Sequence, residues 1–548
     1  MNTPKPKVKE KMKVVLPARK VWKTPRLLLA DAYTVGGDKF QSKEAKDSSV
    51  YYITFRRNLN KINSFLYDAG DNRTVFIGLQ RILEKLFYEP VTHEEIDETK
   101  DFLKDFKITM KGLAEYEFPE HLWRRVVDEF EGRPPIQIKA MPEGSVVYPN
   151  EPVIQIRSMV KGFGELAAWF ESKLLQVWGA SERVTQNEHW LNKLRKMVRS
   201  IEPDLPEETN RFLASLMLTD FGDRAGFTLE ESEELGMAHL YTFSGTDTCS
   251  GAYQAWKNAN KTPIGCSVNA LAHRNVQAFE FEGDCYTSIY DNAKPYEILS
   301  MVADCYDFFF AVENYLLPLA LRSVKENNGK VVVARPDSGD PKEQVLFTCR
   351  LADQHGLVEY KTINGKVWKF ATTLKFIEGD GMTFEAMWDI IEALIAEGFV
   401  PYSFGLFGVG GGLRNSLKRD DLSAKYALAA KGVYDDPVIK LSETIAKGTV
   451  PGPFKVLRSP KAMAEKATIV FEWEEGDDTM VEYFNGARFE KPFGIGQDDN
   501  FLAIRDRLKL FETMPLTLET VENKNYPSSQ EIVKARLKLM KKYAPSKV

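Results

Sequence analysis

The middle of the chain repeats one pattern, and that pattern limits the fold more than any other feature. A short apolar run ends in a loop of glycine, aspartate, serine and arginine, and a helix-like segment follows. It recurs in LTDFGDRAG (218–226), YTFSGTDT (241–248), VVVARPDSGDP (331–341), LKFIEGDGM (374–382) and SFGLFGVGGGL (403–413). Strands alternating with helices predict βα units around a parallel sheet. Polar residues at the carboxyl ends of such strands are where a barrel carries its chemistry.

The flanks read differently. VTHEEIDETKDFLKDF, from Val91, predicts a helix capped by Thr92, with acidic residues in its first turn. IQIKAMPEGSVVYPNEPVIQI, from Ile136, alternates apolar and polar residues between Pro/Gly turns and predicts a small β-unit. Helical spacing takes over from Gly162 to Ile201, and strand-like runs return after about Asp436 in ATIVFEWEEG and MVEYFNGARFE. The expected organisation is a basic, flexible tail over 1–25 and an α+β unit over 26–165 completed by 440–548. A barrel-like unit over 166–439 carries the chemistry.

Charge and cysteine content exclude several classes. A net charge of −5 supplies no global field for nucleic acid. No apolar stretch approaches the roughly 18 residues of a spanning helix. The Lys-rich start lacks the apolar core of a secretory signal. Five cysteines without a CxxC, and six histidines without HExxH, argue against a disulfide framework or a zinc cluster. A reducing, cytoplasmic setting is the expectation.

Three loops carry candidate chemistry. In Arg335-Pro336-Asp337-Ser338-Gly339-Asp340-Pro341, an aspartate at a strand end suits sugar hydroxyls or Mg²⁺, and Arg335 offers a fork for phosphate or an aromatic face. The same letters also spell a strand-to-helix turn. Asp380, in Glu378-Gly379-Asp380-Gly381, is a second carboxylate in a similar place, and Asp-Gly is equally a turn. The run Gly408-Val409-Gly410-Gly411-Gly412 lets backbone N–H groups approach a phosphate, without a Walker A or a dinucleotide fingerprint. His273, among alanine and leucine, is open to roles as base, acid or nucleophile, or to simple packing.

Taken in order, FGDRAG (Phe221–Gly226), GTDT (Gly245–Thr248), Ala272-His273, RPDSGDP, GDG and GxGGGL resemble the nicotinamide phosphoribosyltransferases. LLLADAYTV (Leu27–Val35), FIGLQRIL (Phe76–Leu83), IKAMPEGSVV (Ile138–Val147) and the FNG of Phe484–Gly486 look like the same family. The resemblance implies a type II phosphoribosyltransferase fold: an α/β, irregular (β/α) barrel-like domain plus a mixed α+β domain built from both ends of the chain. It implies transfer of the 5-phosphoribosyl group of PRPP to nicotinamide, with Mg²⁺, ATP as auxiliary substrate and a phosphohistidine at His273. A homodimer with shared sites is also implied.

By the same resemblance, the pyridine ring lies between Phe221 and Tyr33 of a second subunit. Asp247 accepts from the carboxamide, and Arg224 sits near base and phosphate. Ser300 and Asp304 line the base and ribose sides. Arg335, Asp337, Gly379 and Asp380 meet the ribose and pyrophosphate, with Arg335 also bordering the base and Asp337 and Asp380 as metal candidates. Gly410, Gly411 and Arg419 cradle the 5-phosphate, and Arg57 reaches it from the partner. Three departures stand out. Asp223 replaces an aromatic residue, and the lysine expected after Arg419 is missing, with Lys425 or Lys431 as substitutes. Pro437–Arg458 looks more like the nicotinate phosphoribosyltransferases. A nicotinate enzyme, and a non-catalytic nucleotide-binding relative, are the alternatives.

Overall fold

Two sheets divide the work of the chain. The computed structural model describes residues 23–56, 59, 62–412, 416–441, 449–458, 468–486, 500–514 and 527–544. Much of the expected tail and Arg57 therefore lie outside the described residues.

The first sheet has six antiparallel strands, ordered Asp436–Pro437, Lys425–Lys431, Ser49–Thr54, Pro152–Ser158, Ile136–Ala140 and Val481–Asn485. Along Ile136–Ala140 every second residue is fully buried, the signature of a half-covered strand. Lys425–Lys431 falls inside the span expected to belong to the barrel unit. It nevertheless pairs with Ser49–Thr54, from Ser49 opposite Lys431 to Thr54 opposite Lys425. The chain thus re-enters the first sheet before residue 440. Strand partners nearly 400 positions apart leave no local trace in a sequence.

The second sheet holds seven parallel strands, ordered Asn269–Ala270, Ile298–Val302, Val331–Arg335, Leu374–Glu378, Gly405–Val409, Leu218–Asp220 and Gly245–Thr246. The ring is closed by a short segment that serves both edges. Cys266 bridges Gly245 in parallel, its amide donating to Ser244 O and its carbonyl accepting from Thr246 N, each at 2.9 Å. Three residues on, Asn269 and Ala270 pair with Leu299 and Ser300.

The helices Pro341–Gln354 and Phe384–Ala396 return over the outside. Each starts at a turn that the sequence marked. Asp340 accepts from Glu343 N at 2.9 Å with Pro341 in the first turn, and Thr383 accepts from Ala386 N at 3.2 Å. Thr92 caps His93–Leu103 as expected, accepting from Glu95 N at 3.2 Å. One hairpin, Val358–Ile363 with Lys366–Ala371, interrupts the βα rhythm. Its turn, Asn364-Gly365, has φ of 51° and 78°, the left-handed pair that favours these two residues.

Candidate active site

The carboxyl ends of the seven strands converge on one mouth. Phe221 follows Leu218–Asp220, and its amide donates to Val409 O at 3.1 Å. Its ring lies against the next strand so closely that a Cβ on Gly408 would stand 1.9 Å from Cε2. A Cβ on Gly379 would stand 3.4 Å from the same atom, and one on Gly410 would stand 3.1 Å from Phe221 O. Gly408 and Gly379 therefore shape the floor under the Phe221 ring, while Gly410 lies against its carbonyl.

Asp247 joins this floor from the other side. Its amide donates to Asp220 O at 2.9 Å, while Asp220 Oδ1 accepts from Gly222 N at 2.8 Å. Ser267 Oγ, on the segment that closes the ring, donates to Asp247 Oδ1 at 2.5 Å. That hydroxyl was not foreseen. Nothing in CSVNAL marks it, because its importance comes from the barrel closure. Asp223, the departure from the family pattern, accepts from Ser250 Oγ at 3.3 Å, and its carbonyl accepts from Ser232 Oγ at 2.6 Å. It braces the loop below the exposed Arg224.

A second cluster spans the next strands. His273 opens the short helix His273–Val276. Its Nε2 lies 3.1 Å from Asp304 Oδ1 and its Nδ1 lies 3.8 Å from Asp337 Oδ2. The other oxygen of Asp304 accepts from Ser338 Oγ at 2.6 Å, so the RPDSGDP loop fixes the carboxylate that orients the imidazole. The ring is 37% exposed, open to a ligand at the mouth. Within RPDSGDP, Asp340 and Pro341 start a helix, while Asp337 faces the histidine and Ser338 holds its partner Asp304. Among the described residues, Arg335 Nε is buried without a hydrogen-bond partner. Ser300 lies one layer deeper, buried between Ala270 and Val333.

Glu378, the last residue of Leu374–Glu378, is a further acid that sequence reasoning passed over. It is fully buried, and its Oε1 accepts from Asp380 N at 3.0 Å. Burial pushes its carboxyl up to about 8, against the pull of the Asp380 and Gly379 amides and with Asp380 and Asp337 nearby. An acid closing an apolar strand directly before Gly-Asp-Gly was the available signal.

Two expected residues are not brought to this mouth by the single chain. Tyr33, in Ala32–Val35, is 64% exposed, with Glu171 and Asp31 as its charged neighbours. Arg419 is 69% exposed and pairs with Asp420 at 2.5 Å. On the first sheet, Lys425 sits beside Arg56 and Lys440. Burial first, then those two cations, push its ammonium down to about 8. Arg56 is fixed by donating to Ser423 O and Oγ at 3.2 and 3.3 Å. Lys431, the other substitute, lies at the opposite end of that strand, 4.0 Å from Glu44. Among the described residues no group of three His, Cys, Asp or Glu side chains converges as a metal site.

Comparison with known proteins agrees with this geometry. Residues 216–485 match the nicotinate phosphoribosyltransferase (NAPRTase) family, and residues 27–138 match the nicotinamide phosphoribosyltransferase N-terminal domain. The chain is 30% identical over 434 residues to a nicotinamide phosphoribosyltransferase of Xanthomonas campestris pv. campestris, covering 77% of this chain and 86% of that one. It is 25% identical over 399 residues to one from Acinetobacter baylyi, covering 67% and 75%. Human nicotinic acid phosphoribosyltransferase shares the fold with a TM-score of 0.56 at 14% identity, over 93% of this chain and 99% of that one. With its N-terminal unit and its barrel matched to family models and a 30% identical relative covered over 86% of its length, the protein belongs to the nicotinate/nicotinamide phosphoribosyltransferase family, pentosyltransferases on the type II phosphoribosyltransferase fold.

Proposed function

We propose that the protein transfers the 5-phosphoribosyl group of PRPP to nicotinamide, giving nicotinamide mononucleotide and pyrophosphate. One observation carries the base assignment: a carboxylate, Asp247, held at the barrel mouth two backbone steps from the Phe221 loop. Ser267 occupies Oδ1, leaving Oδ2 for an amide N–H donor. A charge-assisted hydrogen bond to the carboxamide would form there. Nicotinate would bring a like charge, an unfavourable contact that grows as the bound base excludes water.

Phe221 would stack on the pyridine, with Gly408 and Gly379 behind its ring. In the reaction the bond from ribose C1 to pyrophosphate oxygen breaks, its electron pair leaving with pyrophosphate. The ring-nitrogen lone pair forms the new bond to C1, so no strong base is required. Arg335, whose Nε has no partner among the described residues, and the Gly410–Gly411 amides would meet phosphate oxygens. Asp337 and Asp380 would hold Mg²⁺, which takes one or two carboxylates together with substrate phosphates and supplies charge neutralisation of the leaving group. His273, oriented by Asp304, would accept the γ-phosphoryl group of ATP on a ring nitrogen, forming a P–N bond as ADP departs.

Subunit sharing fits the exposure of Tyr33, which in a two-fold dimer would reach a partner's pyridine. In the same assembly Lys425, Arg56 and Lys440 would form an anion-binding cluster, with Lys425 as the substitute lysine. A nicotinate enzyme is the second reading, favoured by the family model over 216–485 and by Pro437–Arg458. Incubating the purified protein with PRPP and each base, then separating the mononucleotides, decides between them. Faster use of nicotinate would overturn the nicotinamide assignment.

A further inference from the structure

The long helix Val177–Ile201 buries an almost unbroken polar run, Ser181 to His189, interrupted only by Val184. Burying polar groups costs free energy unless each finds a partner, so the direction of each side chain is informative. Ser181 and Thr185 accept from the amides of Ile77 and Val75 at 3.1 and 2.9 Å, tying the helix to the first unit. His189 meets Arg73 O at 2.9 Å, and Glu188 accepts from Thr242 Oγ1 at 2.8 Å.

Glu182 and Gln186, one turn apart, face elsewhere. Gln186 Oε1 accepts from Ser416 Oγ at 3.0 Å, and its Nε2 lies 3.5 Å from Ser416 O. The same Nε2 donates to Glu182 Oε1 at 2.9 Å, which also accepts from Tyr67 OH at 3.2 Å. Ser416 is the first described residue after Gly412 and stands three positions before Arg419. The chain Tyr67–Glu182–Gln186–Ser416 therefore ends on the backbone that follows the glycine run.

We propose that Tyr67, Glu182 and Gln186 are positioning residues that hold the stretch from Ser416 to Arg419, beyond the glycine run, by gripping Ser416. The inference rests on the proposed reading of Gly410, Gly411 and, in the assembled dimer, Arg419 as the sugar-phosphate side of the site. Glu182 is fully buried, and among the described residues its Oε2 has no hydrogen-bond partner. Tyr67, Asp421 on Arg419–Leu422 and Arg183 on its own helix are the titratable groups around it. The grip is a buried amide that reads both the side chain and the carbonyl of one loop residue, a geometry that tolerates little rotation of the loop.

The test uses the full-length enzyme and the variants Gln186→Ala, Ser416→Ala, Glu182→Ala and Glu182→Gln. Initial rates with PRPP and nicotinamide, and hydrogen exchange of peptides spanning residues 405–425 without substrates, are the readouts. The KM for PRPP is expected to rise roughly fivefold to tenfold in Gln186→Ala, the scale of one net hydrogen bond. The KM for nicotinamide should stay within about twofold, because Phe221 and Asp247 are held independently. Glu182→Ala should behave like Gln186→Ala, whereas Glu182→Gln, which keeps an acceptor oxygen for Tyr67 and Gln186, should retain the wild-type KM for PRPP. Exchange of the 405–425 amides should quicken in Gln186→Ala and in Ser416→Ala. Unchanged exchange in both variants, with the wild-type KM for PRPP, overturns the inference. If Gln186→Ala fails to fold, Ser416→Ala tests the same grip from the loop side. A wild-type protein that makes no mononucleotide from PRPP refutes the functional reading instead, and the exchange experiment still decides the grip.

Discussion

Glu182→Gln should change how stability depends on pH, by an amount fixed by burial. Burial first, and then Asp421, push the Glu182 carboxyl from 4.5 up to about 7. The folded state thus prefers the protonated acid. Stability from this group is complete below about pH 4.5, where both states bind the proton. It is lost as pH rises through the interval from 4.5 to about 7, where only the folded state keeps it. At about 1.4 kcal/mol per unit, the full loss is about 3 kcal/mol, of which 2 to 3 falls between pH 5 and pH 8. Glutamine has the same shape and cannot ionise, so the variant lacks this loss. Denaturant unfolding of both proteins at pH 5, 6, 7 and 8 measures the difference in ΔG. Glu182→Gln should gain about 2 to 3 kcal/mol on wild type across the series, whatever its offset at pH 5. A constant difference across the series would refute the reasoning and mean that Glu182 is ionised, with a partner, throughout.

Other perturbations probe the mouth directly. Gly408→Ala places a methyl 1.9 Å from the Phe221 ring, so it should cost about 1 to 3 kcal/mol and raise the KM for nicotinamide; thermal unfolding with base titration checks both. His273→Ala should abolish ATP stimulation while leaving a slow basal reaction, and stimulation that persists would remove His273 from the mechanism. Lys425 carries its proton only below about pH 8, so PRPP binding should weaken as pH rises through that value, and Lys425→Met should weaken it at pH 7 and flatten the profile. Asp247→Asn should cut kcat/KM for nicotinamide roughly tenfold to a hundredfold and narrow the gap to nicotinate, read from competing-base assays.

The parts of the protein that were legible beforehand share one property: their signal is local. Each barrel strand is an apolar run ending in turn residues, so VVVAR and LKFIE announce themselves, and so do the caps Asp340 and Thr92. The hairpin around Asn364-Gly365 carried an equally local mark that the βα rhythm obscured. What stayed hidden depends on distant partners. Lys425–Lys431 looks like one more barrel strand until Ser49–Thr54 is there to pair with it. Gln186 looks like the polar face of a helix until Ser416 is placed against it. Ser267 gains meaning only from the ring that closes around it. Resemblance to a family supplied His273, Asp247 and Asp337 as candidates, but the carboxylate–imidazole–carboxylate geometry among Asp304, His273 and Asp337 needed coordinates.

The segment from Cys266 to Ala270 acts as a splice between two edges of the same cylinder, hydrogen-bonded to one strand at its start and to another at its end. Its middle supplies the hydroxyl on Asp247, and three residues beyond it comes His273. The Asp247 carboxylate and the histidine are therefore set by one short length of backbone. An insertion or deletion there would not merely move a loop. It would change the circumference of the ring and shift both side chains together, so this stretch has little freedom to vary in length.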